Sequence, residues 1–130
     1  MQRIKQVILI RKDLKMRRGK EIAQGSHASM EFVVSQLRQC LIDNADLTVE
    51  LNEKEKKWMS EGMAKVCLQV SSEQQLLDYH DKANSHGIKS FLIRDSGRTE
   101  FKGRPTLTAC AIGPDEVEAV DAITGDLSLY

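Results

Sequence analysis

Apolar and polar residues along the chain fall into short blocks whose spacing switches between that of strands and that of helices. Gln6 to Ile10 (QVILI) is a β-branched run bounded by charges and predicts a buried strand. The basic stretch Arg11 to Lys20 follows, and a helix is expected from about Gly19 to Leu41. Ile22, Ser26, Met30, Val33, Leu37 and Cys40 or Leu41 recur at helical spacing and predict its core face. Asn52, with Glu55 three residues later, has the pattern of a capping box opening a shorter helix that Gly62 stops. Ala64 to Val70 reads as a second strand. Ser72 with Gln75 opens a third helix, which carries Leu76, Leu77, His80 and Ala83 and ends at Gly87. Ile88 to Arg94 is a third strand, followed by the turn Asp95-Ser96-Gly97-Arg98. Leu107 to Ile112 is a fourth, and Gly113-Pro114 is expected to open a last helix with Val117, Val120 and Ile123 on its apolar face.

This order predicts an α/β fold: a single three-layer α/β/α domain over residues 1–130, with a four-stranded, mixed, mostly parallel sheet. The connection between the third and fourth strands is too short for a parallel crossover, so that pair is expected to be antiparallel.

Composition narrows the class. The chain has 130 residues, of which 41% are hydrophobic and 29% charged, as in an ordinary globular protein. Its three cysteines, Cys40, Cys67 and Cys110, are far apart and form no CxxC pair, which argues against a disulfide framework or a zinc site and fits a reducing cytoplasm. The longest uncharged stretch, Pro105 to Pro114, is far shorter than the roughly 20 residues a membrane-spanning helix needs, and the N-terminal MQRIKQVILIRKD does not have the form of a signal peptide.

Charge is balanced overall, with 19 basic and 19 acidic residues, but not along the chain. Residues 1–20 hold eight Lys or Arg against one Asp, and residues 89–104 hold five against two. Two solvated loops would account for such blocks; so would a surface that holds phosphates.

Common catalytic signatures are missing: there is no GxGxxG, GxxxxGK[ST], HExxH or GxSxG. Six aromatic residues are also too few for a sheet that stacks unpaired bases. Two other constellations stand out. At about 100° per residue, Gln24 lies about 40° and His27 about 20° from Lys20 around the first helix, so three chemically capable side chains share one flank where a strand ends. Ligands of open α/β sheets collect at that end of the strands, and a helix N-terminus favours anions. An exposed polar face is the plainer account. Asp95 is the second signal. It follows its strand directly and would reach the same edge if the first and third strands are parallel. Aspartate in such a turn is commonly structural. Set among Arg98, Lys102 and Arg104, however, it would keep its charge and could orient a water or a cationic side chain. His80, His86 and Cys110 read as packing or capping residues, and Trp58 as core or partner-facing.

Together these segments resemble the archaeal- and eukaryotic-type peptidyl-tRNA hydrolases. RKDLKMRRGKEIAQGSHAS (Arg11 to Ser29) is similar to that family's first signature. IRDSGRTE (Ile93 to Glu100), TACAIGP (Thr108 to Pro114) and TGDLSLY (Thr124 to Tyr130) are similar to its later blocks, in order. Gly25, Ser96, Glu100 and Asp126 depart from the usual cysteine, alanine, glutamine and histidine, and Arg38 to Lys57 matches poorly. The membrane anchor found ahead of this domain in some relatives is not expected here.

The resemblance implies hydrolysis of the ester joining a peptide to the terminal ribose of tRNA, with no cofactor and no metal. The catalytic set it implies is Lys20, Gln24, His27, Asp95 and Thr99, supported by Gly19, Gly97 and Thr108. Asp95 would orient Lys20 or the attacking water, Lys20 or nearby amides would stabilise the oxyanion, and Gln24 and Thr99 would position the ester. His27 would assist or support. Arg17, Arg18, Arg98, Lys102 and Arg104 are expected to grip acceptor-stem phosphates, giving salt-sensitive binding with little sequence readout. A homodimer is compatible with the family. Two other readings stay open on sequence: a non-catalytic tRNA- or ribosome-binding module, and a protein-interaction domain working through Trp58 and the poorly matching segment.

Overall fold

A computed structural model describes residues 3–97 and 101–130. The elements are β1 (Ile4–Arg11), a short 3-10 turn (Lys12–Leu14), α1 (Arg18–Ile42), α2 (Glu53–Ser60), β2 (Lys65–Val70), α3 (Glu73–Ser85), β3 (Ser90–Asp95), β4 (Thr106–Glu116) and α4 (Val117–Thr124). The strand order is β2-β1-β4-β3. β1 pairs with β2 in parallel, while β4 runs antiparallel to both β1 and β3. The sheet is therefore mixed, with the expected antiparallel β3–β4 pair. "Mostly parallel" holds for direction, since β1, β2 and β3 point the same way. It does not hold for pairing, because β4 sits between β1 and β3 and leaves β1–β2 as the one parallel pair.

Alternation along the strands builds the three layers. Val7, Leu9, Cys110 and Ile112 pack with Leu76 and Ala83 of α3 and Val120 and Ile123 of α4. Ile8, Ile10, Ala109 and Ala111 face Ala28 of α1 on the other side. Further along that face, Ile4 and Phe32 meet Trp58 of α2, with the two rings edge to face at 5.9 Å. The Trp58 indole donates to the Ala64 carbonyl at 2.7 Å, so this side chain is core. The caps read from sequence form: Asn52 and Glu55 make the reciprocal capping box, and Ser72 accepts from the Gln75 amide.

Two expectations fail. Gly113 and Pro114 do not open α4; they lie inside β4, whose pairing continues to Lys5–Asp115 and Ile4–Glu116, and the helix starts at Val117. The core face expected on α1 is also displaced. Ile22 and Met30 are 63% and 57% exposed, whereas Gln24, Ala28 and Phe32 are buried against the sheet. Counting apolar residues favours the longer stripe. The small Ala28 lets the helix approach closely, and hydrogen bonds make a buried glutamine tolerable.

Candidate active site

The carboxyl ends of β1 and β3 and the start of α1 meet at one edge of the sheet. Lys20, in the first turn of α1, puts its Nζ 2.7 Å from Oδ1 of Asp95, the last residue of β3. Only 14% of the lysine and 10% of the aspartate side chain is exposed. Seventy-five residues apart in sequence, the two form one ion pair. The other carboxylate oxygen accepts from the Gly97 amide at 2.8 Å. Gly97 has φ +85°, and a Cβ there would collide with the backbone of Arg104, so glycine is required at this turn.

Gln24, one turn further along α1, is buried and links two strands. Its Nε2 approaches Asp95 Oδ1 at 3.4 Å, and its Oε1 accepts a short hydrogen bond from the Thr108 hydroxyl. The β3–β4 register shifts between Ile93 and Arg94, leaving Thr108 as the extra residue on β4, a bulge of the kind that re-aims a side chain beside functional sites. Thr108 is thus fully buried and polar, yet satisfied.

Burial alone would push the Asp95 carboxyl up. The Lys20 hydrogen bond, the Gly97 amide and the charges of Lys20 and His27 outweigh it and hold the group below its ordinary value. Asp95 is therefore an anion at neutral pH and a weak proton acceptor. The Lys20 ammonium also lies 5.8 Å over the Phe101 ring, an aromatic contact that the sequence reading did not single out.

A polar cleft of about 420 Å³ opens beside the pair, between α1 and β3. Gln24, His27, Glu31 and Arg38 form one wall and Leu92 to Ser96 the other. His27 is exposed on the helix wall. Glu31 and Arg38, ion-paired at 3.0 Å, were missed from sequence, although they continue the Lys20/Gln24/His27 flank at helical spacing.

Of the expected basic residues, Arg17 and Arg18 are exposed at the start of α1, and Lys102 and Arg104 are exposed in the segment before β4. The Gly103 amide donates to the Gly97 carbonyl at 3.0 Å, tying that segment to the turn after Asp95. Arg98 and Thr99 lie outside the described residues. At Gly19 a side chain would meet open space, so packing does not dictate that glycine. Among the described residues no three His, Cys, Asp or Glu side chains gather where they could hold a metal ion, and no helix is long and apolar enough to cross a membrane.

The family model described as peptidyl-tRNA hydrolase PTH2 matches residues 4–130. A peptidyl-tRNA hydrolase of Methanocaldococcus jannaschii is 41% identical over 126 residues, covering 97% of this chain and 99% of the relative. One from Nanoarchaeum equitans is 42% identical over 129 residues, covering 98% and 99%. A probable peptidyl-tRNA hydrolase 2 of Dictyostelium discoideum is 38% identical over 97% of this chain and 54% of its own length. With most of its length matched in this way, and with Lys20, Gln24 and Asp95 assembled at one edge, the chain belongs to the PTH2 family of peptidyl-tRNA hydrolases.

Proposed function

We propose that this chain hydrolyses the ester between a peptide and the 3′-terminal ribose of tRNA, and that Lys20 and Asp95 carry the chemistry. Water adds to the ester carbonyl, an oxyanion forms, and the ribose oxygen leaves and takes up a proton. A fixed positive charge beside the carbonyl oxygen stabilises the charge that develops there. The observation that carries the reading is the 2.7 Å Lys20–Asp95 pair, held on its far side by the Gly97 amide. With its basicity lowered, Asp95 orients the ammonium rather than taking the proton from water. Gln24, pinned by Thr108, positions the ester, with Thr99 as a further positioning group and His27 assisting from the cleft wall. Gly97 and Thr108 support the site, with Gly19 at the helix start.

The tRNA is held through phosphate by Arg17, Arg18, Lys102 and Arg104, joined by Arg98. The exposure of Arg17, Arg18, Lys102 and Arg104 supports this reading. An ammonium supplies the positive charge, so the reaction proceeds without a metal, and turnover is expected to persist in EDTA. A cytoplasmic location, where translation produces peptidyl-tRNA, belongs to the same proposal. Self-association is proposed on the opposite flank of α1, where Ile22 and Met30 are exposed.

Release of tRNA from N-acetyl-aminoacyl-tRNA tests the assignment. Lys20→Ala and Asp95→Ala are each expected to lose most activity; wild-type rates in both would remove it. Salt-dependent binding without turnover in the unmodified protein would return the binding-module reading.

A further inference from the structure

β3 is an outer strand of the sheet. One side pairs with β4, and no strand among the described residues pairs with the other. The Gly113 amide donates to the Lys89 carbonyl at 2.9 Å, which fixes the phase of the ladder. Backbone groups alternate direction in antiparallel pairing, so residues 89, 91 and 93 turn theirs to β4. Residues 90, 92 and 94 turn theirs outward. The side chains keep the same alternation: Phe91, Ile93 and Asp95 lie on the α1 side, while Ser90 and Leu92 lie on the α3 side. The bulge belongs to β4 and leaves this phase intact.

That outward row of amides and carbonyls ends at Arg94, next to Asp95, and borders the polar cleft. We propose that the edge of β3 binds the peptide of the substrate as an added strand, parallel to β3, with the ester carbonyl at Lys20 and Asp95. The inference rests on the hydrolase reading above and names how its substrate is held. Direction follows from connectivity. The peptide ends in the ester, so its carboxyl end lies at the carboxyl end of β3 and its chain runs back toward Ser90.

Three features favour a peptide over the nucleotides of the tRNA end in this cleft. Arg17 and Arg18 lie before Lys20 on α1, whereas the cleft residues His27, Glu31 and Arg38 lie after it, so the ester sits between a basic edge and the cleft. Among its described lining residues the cleft carries no aromatic ring on which a base could stack. Its length also suits a peptide. Gln24 to Glu31 spans about 10 Å of helix, the reach of about three extended residues. Pairing through main-chain groups reads no side chains, as an enzyme handling peptides of every sequence requires. Lys89 and Arg94 guard the edge against pairing with itself.

The experiment uses the unmodified protein and changes the substrate. N-acetyl-tetraalanyl-tRNA is prepared with one N-methyl group at each successive amide, alongside N-acetyl-alanyl-tRNA and N-acetyl-dialanyl-tRNA. The expected result is a loss in kcat/KM of roughly tenfold at amides of alternate residues and little at those between, with kcat/KM rising with length up to about three residues. Losses below about twofold at every position, or equal losses at all of them, overturn the proposal. Turnover of N-acetyl-alanyl-tRNA keeps the hydrolase reading in either case; no turnover of any substrate removes that reading and this one with it.

Discussion

The two flanks of α1 make opposite uses of the same helix. Toward β3, Gln24, His27, Glu31 and Arg38 border a polar cleft of about 420 Å³, with Lys20 paired to Asp95 at its end. Toward β2, Ile22, Gly25 and Met30 cover Ile8, Ile10 and Cys67 in a larger, apolar groove of about 560 Å³. The larger groove is not where the proposed chemistry lies. Its polar groups are committed: the Ser29 hydroxyl donates to Gln6 Oε1 at 2.6 Å, and the Tyr130 hydroxyl donates to Glu21. Burial, with the Glu21 hydrogen bond, pushes the tyrosine up to about 12, and burial raises the Cys67 thiol against the pull of Lys65. Neither group offers a nucleophile or a base at neutral pH. Across the helix, Asp95 is an anion held against an ammonium beside open space. On the proposed reading, reactivity follows the charged pair, not the volume.

The sharpest way to break this contrast is to remove charge from one flank and apolar bulk from the other. Lys20→Ala and Asp95→Asn are each expected to lower kcat by about 10²–10³, the range for losing one preorganised stabilising group. Ile22→Ala and Met30→Ala should stay within about twofold of the parent protein, since both side chains are largely exposed and neither touches the cleft. A groove variant that lost activity as severely as Lys20→Ala would move the chemistry to the β2 flank.

Much of this contrast could be read from the sequence, for identifiable reasons. Spacing alone put Lys20, Gln24 and His27 on one flank, because helical geometry is local. The meeting of Lys20 with Asp95 needed only the order of elements and the direction of β3. The fate of Gln24 could not be read locally. A glutamine on a polar flank looks solvated, yet this one is 3% exposed, because Thr108 is turned toward it by a bulge that only strand pairing creates. The Ile22/Met30 stripe misled in the opposite direction. It has the period of a core face, but β1 presents Ile8 and Ile10, and β4 Ala109 and Ala111, to Ala28 instead.

Thr108→Val sharpens the point about Gln24. The change keeps the shape of the side chain and removes the donor, leaving a buried carbonyl oxygen without its partner. A loss of about 1–3 kcal/mol in unfolding free energy is expected by chemical denaturation, with a smaller fall in kcat than for Lys20→Ala. Unchanged stability would mean that the hydroxyl does not hold Gln24.

The pH profile separates the two roles open to Asp95. Its pKa in the folded chain lies below the ordinary 3.8, so the stability it contributes is present above that value and is lost as pH falls through the lowered one. The stability difference between the parent protein and Asp95→Asn should therefore be flat from neutral pH down to about 5 and shrink below about 4. Activity should show no acid limb from this group above about pH 5. A limb near neutral pH that Asp95→Asn abolishes would make Asp95 the proton acceptor instead of the anchor for Lys20.

The smallest effect on turnover is expected where the apolar flank is charged. The groove along β2 shares Ser29, Met30 and Lys65 with a neighbouring hollow lined by Val34, Trp58, Met59 and Met63, so apolar surface continues from Tyr130 to α2. A second copy of this chain is the proposed occupant, and a charge at the shared centre should weaken its hold. Met30→Lys is expected to shift sedimentation toward the monomer while leaving kcat on N-acetyl-aminoacyl-tRNA within about twofold. A parent protein that sediments as a monomer at micromolar concentration would leave this flank without that role. A large fall in kcat without a change in mass would show that the two sides of α1 are coupled through the helix rather than separated by it.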